Sequence, residues 1–328
     1  MPEGSTTPFL LFGALILTLL ALDLFVFQRR SHTLKLREAL AWSAFWVSLG
    51  LSFNVYIYFM YENHWFGAGL FDSYARTGTE AALQFFTGYL IEQALSVDNI
   101  FVFIVIFTYF AVPQKYHHKI LFWGILGAIV MRLIFIVAGS ILISQFEWVL
   151  YIFGLILVVS GWKMMRHDDT EVHPEKNVFI RIAKKLFPVA TGFDSPDFFV
   201  RINGTLHMTS LFLVLITVET TDVVFAVDSI PAVFAVTRDP FIVFSSNIFA
   251  ILGLRSLYFV LASVISTFHY LKMGLSIVLM FVGAKMIISD FFHVPILVSL
   301  LVVAGVLVTS ILASVVRLRR LPQSKEPS

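Results

Sequence analysis

The dominant pattern along the chain is a succession of long apolar stretches separated by short polar segments. A bilayer core about 30 Å thick requires roughly 20 apolar residues in each helix that crosses it. We therefore predict an all-α, polytopic membrane protein with about nine transmembrane helices. The predicted spans are residues 9–27, 40–60, 81–111, 119–144, 148–165, 206–236, 241–267, 271–288 and 294–316.

The composition supports this interpretation. Hydrophobic residues make up 58% of the 328 positions and charged residues only 13%, and the mean hydropathy is +0.87. A soluble domain carries roughly 25% charged residues, so an ordinary cytoplasmic enzyme is excluded. The formal net charge of +2 and the lack of a basic surface argue against a nucleic-acid binder. The chain has no cysteine, so a metal must be held by oxygen or imidazole ligands.

Lysine and arginine are distributed unevenly among the predicted loops. If the N-terminus lies outside, eighteen of them face the cytoplasm, whereas the outer loops hold only Arg76 and Arg238. Cytoplasmic loops carry an excess of Lys and Arg. We therefore expect a multi-pass membrane protein with its N-terminus outside and its C-terminus in the cytoplasm.

An internal repeat relates two groups of three predicted spans. Asp98-Asn99 aligns with Asp228-Ser229 at a shift of 130, and Glu92 falls on Asp222 at the same shift. Later matches keep nearly the same shift. Arg132 aligns with Arg255 at a shift of 123, and the Gly-x-Lys-Met segments 161–164 and 283–286 align at a shift of 122. Because three is odd, the second copy enters the membrane from the opposite side, as in many transporters.

The repeat divides the chain into five segments. We predict two N-terminal helices (1–80), a first three-helix repeat (81–165), a cytoplasmic loop (166–205), a second, inverted repeat (206–288), and a C-terminal helix with a cytoplasmic tail (289–328). The acidic and histidine-containing stretch 167–173 of the loop is more typical of a solvated linker than of a metal site, since its spacing is irregular.

Acidic residues inside the predicted spans are the main candidates for function. Each costs about 2.5–3.5 kcal/mol near a helix centre. If all are ionised, Arg132 and Arg255 offset only two of the five charges in the repeats, so a bound dication or protonation is the plausible remedy. The acids are Asp23, outside the repeats, and the five candidate metal ligands Glu92, Asp98, Glu219, Asp222 and Asp228.

The spacing of these acids allows more than one arrangement. Glu92 and Asp98 are six residues apart, as are Asp222 and Asp228, which separates them by about 120° around a straight helix. Either each helix is bent or unwound between its two acids, or the acids serve two subsites. Pro231 is a candidate break in the second repeat, whereas the first has no proline there.

Ligand chemistry narrows the class of cation. Asn99, Ser229 and Asn247 lie close to the acids in sequence or on the next span and add hard oxygen donors. Such a set suits Mg²⁺, Ca²⁺ or Mn²⁺ better than Cu(I) or Zn²⁺. We find no metalloprotease, aspartyl-protease, serine-hydrolase or P-loop motif, so we do not expect an enzyme or a resident cofactor.

The acidic segments resemble the two signatures of the TerC family of membrane proteins. These segments are residues 92–99 (EQALSVDN) and 218–234 (VETTDVVFAVDSIPAVF). Residues 245–258 (SSNIFAILGLRSLY) are similar to the arginine-bearing span of that family, and the resemblance covers roughly residues 9–320. Within the family, the chain looks closest to the Alx-type bacterial inner-membrane proteins.

The resemblance implies Mn²⁺ export, with an association with tellurite resistance and alkaline pH, and it implies that the five signature acids handle the metal. A carboxylate-lined site would repel an oxyanion, so we do not expect direct tellurite transport. We expect Mn²⁺ as the transported ion, protons as a further coupled ion, and Arg132 and Arg255 as residues that orient or neutralise the acids. The alternative is a non-transporting membrane scaffold that acts on stress-response partners through loop 166–205. A membrane redox modulator is a third interpretation, which the lack of cysteine disfavours.

Overall fold

The computed structural model of the chain describes residues 6–28, 36–69, 77–166, 178–190, 192–193, 195–264, 270–289, 291–292 and 294–320. In these ranges the secondary structure is almost entirely helical. The helices are α1 (Thr7–Gln28), α2 (Leu36–Glu62), α3 (Gly78–Tyr109), α4 (Gln114–Gln145), α5 (Val149–Arg166), α6 (Val178–Leu186), α7 (Ser210–Phe234), α8 (Pro240–Leu252), α9 (Leu254–Val264), α10 (Leu271–Ile288) and α11 (Ile296–Arg320).

Seven of the described helices are long and apolar enough to cross a membrane, or eight spans when α8 and α9 are taken together. This confirms an all-α polytopic membrane protein. In α1 the apolar stretch Thr7–Leu22 is shorter, so the count of nine remains a prediction. The side chain of Asp23, near the end of α1, lies outside the described part of the chain.

Two predicted spans differ in detail from the structure. The span 206–236 begins at Ser210, because residues 205–209 form a strand instead. The span 241–267 is bent by 42° between α8 and α9, at Gly253. Helix α8 is buried at every position from Phe241 to Leu252. A helix that is apolar and buried all round belongs to the centre of a bundle.

The third helices of the two predicted repeats, α5 and α10, pack closely through small residues. A Cβ atom on Gly283 would lie 2.6 Å from the carbonyl oxygen of Gly154, and one on Gly161 would lie 2.7 Å from that of Ser276. Small residues allow helix backbones to approach this closely. Later residues of α5 meet earlier residues of α10, so the two helices are antiparallel.

These two contacts also correspond to each other. At the repeat shift of 122, Gly161 aligns with Gly283 and Gly154 aligns with Ser276. The contact of Gly161 with Ser276 therefore becomes the contact of Gly283 with Gly154 when the two repeats are exchanged. The inverted repeat and the five-segment division remain predictions, and this pairing is what a twofold relation between α5 and α10 produces.

The predicted loop 166–205 carries ordered structure where the chain is described. Helix α6 is followed by strands β1 (Val189–Ala190), β2 (Phe199–Ile202) and β3 (Thr205–Thr209), in the spatial order β1-β3-β2, with β1 parallel and β2 antiparallel to β3. The unit contacts the start of α4, where Tyr116 Oη donates to the Phe193 carbonyl at 3.2 Å and Lys119 Nζ donates to that of Pro196 at 2.6 Å. Residues 167–177, which include the stretch 167–173, are outside the described ranges.

Candidate functional site

A fully buried arginine in the middle of α4 joins three other helices. One Arg132 nitrogen, Nη1, donates to Glu92 of α3, to Oδ1 of Asn247 at 2.7 Å and to Oγ of Ser229 at 3.4 Å. The other, Nη2, lies 3.7 Å from Oδ1 of Asp222. We call these five residues (Glu92, Arg132, Asp222, Ser229 and Asn247) the buried polar centre, and all of them are buried.

The sequence explains how this centre is assembled. Asp222 and Ser229 are seven residues apart on α7, which is nearly two helical turns, so both face α4. Asn247 projects from the buried helix α8, and its Nδ2 donates to Oε2 of Glu92 at 3.0 Å. With both acids ionised, two carboxylates share one guanidinium, which leaves one negative charge.

Several polar atoms in and beside the centre have no hydrogen-bond partner within the described ranges. They are Arg132 Nε and Nη2, Asp222 Oδ2, Asn99 Nδ2 and Ser96 Oγ. Buried polar atoms in proteins are usually paired. The ion pair of Arg132 Nη2 with Asp222 is therefore too long to be a hydrogen bond, and the buried polar centre keeps spare hydrogen-bonding capacity.

Asp98 and Asp228 form a separate group, which we call the half-buried acid pair. Each is only partly buried, and the helices that carry them, α3 and α7, pack against each other. Ser160 Oγ of α5 donates to Asp228 Oδ1 at 2.7 Å. Two lysines lie within electrostatic range of these acids. Lys272 is within range of Asp98, and Lys163 is within range of Asp228.

The sequence did not predict that Ser160, Lys163 or Lys272 would lie beside the half-buried acid pair. Both lysines lie near a helix end, Lys163 in the last turn of α5 and Lys272 in the first turn of α10. Their positions in the sequence therefore predicted cytoplasmic charges rather than partners of the acids. The repeated Gly-x-Lys-Met segment was a signal for Lys163. No sequence motif indicated that Lys272 would lie near the acids.

Neither helix is unwound between its two acids, and whether the acids serve as two subsites stays a prediction. Helix α3 runs without interruption through Glu92 and Asp98, so it has no unwound segment between them. Helix α7 likewise continues past Asp228, and Pro231 lies inside it, three residues before its end at Phe234. Pro231 therefore does not break the helix between its two acids.

Glu219 and Arg255 are the two remaining charged residues of the predicted site. The Glu219 carboxylate packs against α4 where Gly127 has no side chain, and a Cβ there would collide with it. It is within electrostatic range of Asp222 and borders a groove beside α6. Arg255 is buried in α9.

The five acids thus do not form a single cage. Among the described residues, no group of three or more His, Asp or Glu side chains is arranged to hold a metal ion. The structure joins Glu92 and Asp222 through Arg132, and it places Asp98 and Asp228 on the neighbouring helices α3 and α7. Their assignment as metal ligands remains a prediction.

Comparison with known proteins agrees with the segments that carry the resemblance. The family model described as "Integral membrane protein TerC family" matches residues 77–321. The chain is 49% identical over 313 residues to "Uncharacterized membrane protein STKORF319" of Myxococcus xanthus, covering 95% of this chain and 93% of the relative. It is 48% identical over 299 residues to "Putative membrane-bound redox modulator Alx" of Escherichia coli strain K12, covering 90% of each.

A more distant relative, "Uncharacterized membrane protein" of Rickettsia bellii, is 38% identical over 308 residues, covering 94% of this chain and 97% of the relative. No solved structure matches the chain. The family match covers most of the chain, including every helix that contributes to the buried polar centre and to the half-buried acid pair. The protein therefore belongs to the TerC family of integral membrane proteins.

Proposed function

We propose that the protein is an inner-membrane transporter that exports a divalent cation, Mn²⁺, through a site formed by its intramembrane carboxylates. The observation that carries the proposal is the half-buried acid pair. Asp98 and Asp228 are partly buried carboxylates on the membrane-spanning helices α3 and α7, which pack against each other. Two ionised carboxylates within the membrane raise the free energy of the folded protein unless a cation or protons neutralise them.

The neighbouring donors favour a hard cation. Asn99 follows Asp98 and Ser229 follows Asp228, and both of these neighbours are buried. Carboxylate, amide and hydroxyl oxygens suit Mn²⁺, Mg²⁺ and Ca²⁺. Lys272 and Lys163 can balance the pair when no metal is bound, which would make the cation exchangeable rather than permanently held.

The buried polar centre has a different role in this proposal. Arg132 fixes the carboxylates of Glu92 and Asp222 and neutralises one of their charges. These two acids and Glu219 then serve as secondary ligands or proton acceptors as the cation passes. Because Glu92 is fully buried, it can receive a cation only after the helices around Arg132 move.

The proposed orientation places the N-terminus outside and the C-terminus in the cytoplasm, from the excess of cytoplasmic Lys and Arg. Helix packing bears on the relative direction of two of these spans. Gly124 of α4 meets Val218 of α7, and further along Gly139 meets Phe234. Helices α4 and α7 therefore run in the same direction, as two spans that both start in the cytoplasm must.

Intracellular manganese content tests the proposal. Cells that overproduce the wild-type protein should hold less manganese than cells with Asp98→Asn or Asp228→Asn, because the amide cannot supply the charge. Asp197→Asn, in the exposed loop, is the matched control and should behave as the wild type. Equal manganese in all these strains at equal protein levels would refute the proposal.

Proton coupling is a further part of the proposal, since carboxylates that release a metal on protonation produce antiport. Purified protein in proteoliposomes should move Mn²⁺ faster when a pH gradient drives protons in the opposite direction. A flux that is indifferent to the gradient would remove the coupling and leave the transport proposal standing.

A scaffold function is the second candidate, favoured by one observation. The sheet of loop 166–205 is docked on α4 by Tyr116 and Lys119, so it presents a defined surface to partners. Replacing residues 178–205 with a flexible linker should abolish a scaffold function that Asp98→Asn leaves intact. The redox role in the names of relatives is less suited to this chain, which has no cysteine to exchange electrons through thiols.

A further inference from the structure

A groove runs between α6 and the membrane-spanning helices α4 and α7. Its volume is about 460 Å³. Apart from Glu219 and Thr220, every side chain that lines it is apolar. Its walls include Phe179 and Leu186 of α6, Met131 of α4, and Phe212, Ile216 and Val223 of α7.

The dimensions of the groove match one leaflet of a bilayer. It follows α7 from Phe212 to Val223, which is about 16 Å at 1.5 Å per residue. One leaflet contributes about 15 Å, half of the hydrocarbon core. The groove therefore begins near the N-terminal end of the membrane-spanning helix α7 and extends along it for about the depth of one leaflet.

Helix α6, which forms one wall, is strongly amphipathic. Its basic residues Arg181, Lys184 and Lys185 fall on one side and are exposed, and none of them has an ion-pair partner in the described ranges. The other side carries apolar side chains that are also exposed, including Phe179 at 61% and Leu186 at 69%. A helix with this division lies in the membrane interface, with its apolar side towards the acyl chains.

The position of α6 in the chain fixes the leaflet. It lies between the end of α5 and the start of α7, and so on the side where eighteen lysines and arginines are predicted to face the cytoplasm. The sequence of α6 contains no acidic residue. Its positive side therefore has no internal counter-charge and is complementary to an anionic headgroup.

We propose that this groove binds an acyl chain of one anionic phospholipid of the cytoplasmic leaflet, whose headgroup is held by Arg181, Lys184 and Lys185. The two parts support each other, because α6 supplies the cations on its exposed side and part of the apolar lining of the groove on its other side. A bound chain would cover Glu219 and exclude water from its side of α7. The lipid therefore acts as a structural component next to the proposed transport path.

Lipid titration of the purified full-length protein tests this inference without relying on transport. The delipidated protein in detergent is titrated with palmitoyl-oleoyl phosphatidylglycerol or phosphatidylcholine, and the rise of the thermal unfolding midpoint gives an apparent affinity. The phosphatidylglycerol should bind more tightly. The variant K184Q/K185Q should lose about tenfold in affinity for phosphatidylglycerol and little for phosphatidylcholine.

Two further variants separate a specific site from general attraction. R166Q/R201Q removes the same charge from the same side of the membrane but not from α6, and it should keep the wild-type preference. Ile216→Trp fills the groove and should weaken the binding of both lipids. Equal affinities of the wild type for the two lipids, or equal losses in K184Q/K185Q and R166Q/R201Q, would overturn the proposal, as would an Ile216→Trp variant that binds like the wild type.

Discussion

Removing the charge of Arg132 is the most informative perturbation of the buried polar centre. The guanidinium has no exposed surface, and it is the shared partner of Glu92, which is fully buried, and of Asp222, which is 4% exposed. In Arg132→Gln the two carboxylates remain in place without a cation. We expect the protein to be strongly destabilised.

The expected size of the effect follows from the burial of the group. Breaking a buried ion pair by removing one partner costs about 3–5 kcal/mol, because a charge is left uncompensated. If Glu92 is neutralised as well, one of the two uncompensated carboxylates is removed, so part of that penalty should disappear. The double variant Glu92→Gln/Arg132→Gln should therefore be more stable than Arg132→Gln alone, and we expect a coupling free energy of about 2–3 kcal/mol between the two sites.

Unfolding of the purified protein in detergent, followed for the wild type, the two single variants and the double variant, measures this coupling. Arg166→Gln at the exposed end of α5 is the control, and it should change the free energy of unfolding by less than about 0.5 kcal/mol. If Arg132→Gln is no less stable than Arg166→Gln, or if Glu92→Gln brings no recovery, the two groups do not form the coupled pair described here.

Three further substitutions test other contacts. Gly127→Leu should displace the Glu219 carboxylate and lower Mn²⁺ flux, because a side chain there occupies the space of that carboxylate. Gly283→Leu should separate α5 from α10 and destabilise the protein by at least about 1–3 kcal/mol, as overpacking does. Tyr61→Phe removes the hydroxyl that donates to buried Asp239, the N-cap of α8, and should cost about 1–3 kcal/mol in unfolding free energy.

Matched controls make these outcomes interpretable. A Cβ atom on Gly305 meets no heavy atom within 4 Å, so Gly305→Leu should leave both flux and stability unchanged. If Gly127→Leu or Gly283→Leu behaves like Gly305→Leu, the close packing at that glycine is not what the contacts indicate. A Tyr61→Phe protein that unfolds like the wild type would show that the hydroxyl contributes nothing to the α8 cap.

The fold class was predictable because the bilayer imposes a simple length requirement on apolar stretches. The span 81–111, for example, corresponds to Gly78–Tyr109, and 271–288 to Leu271–Ile288. The bend at Gly253 was not predicted, since the run 241–267 is apolar on both sides of that glycine. The sheet at 189–209 was also missed, because its short strands lie in a loop with no alternating pattern long enough to detect.

The candidate site was predictable in its residues but not in its grouping. The cost of charge in the membrane singled out Glu92, Asp98, Asp222, Asp228 and Arg132. Which acids meet depends on how the helices pack, and the acid spacing alone left two arrangements open. Which lysines at helix ends lie near Asp98 and Asp228 likewise depends on tertiary packing. A count of charges along the chain does not give that information.

The proposed transport function depends most directly on whether Asp98 and Asp228 carry a divalent cation across the membrane. The decisive measurement is Mn²⁺ flux into proteoliposomes that contain the purified protein and a trapped Mn²⁺-sensitive dye. The wild type and Asp197→Asn should transport Mn²⁺ at equal rates, and Asp98→Asn/Asp228→Asn should fall to the rate of protein-free vesicles. Flux by the double variant at the wild-type rate would contradict the account.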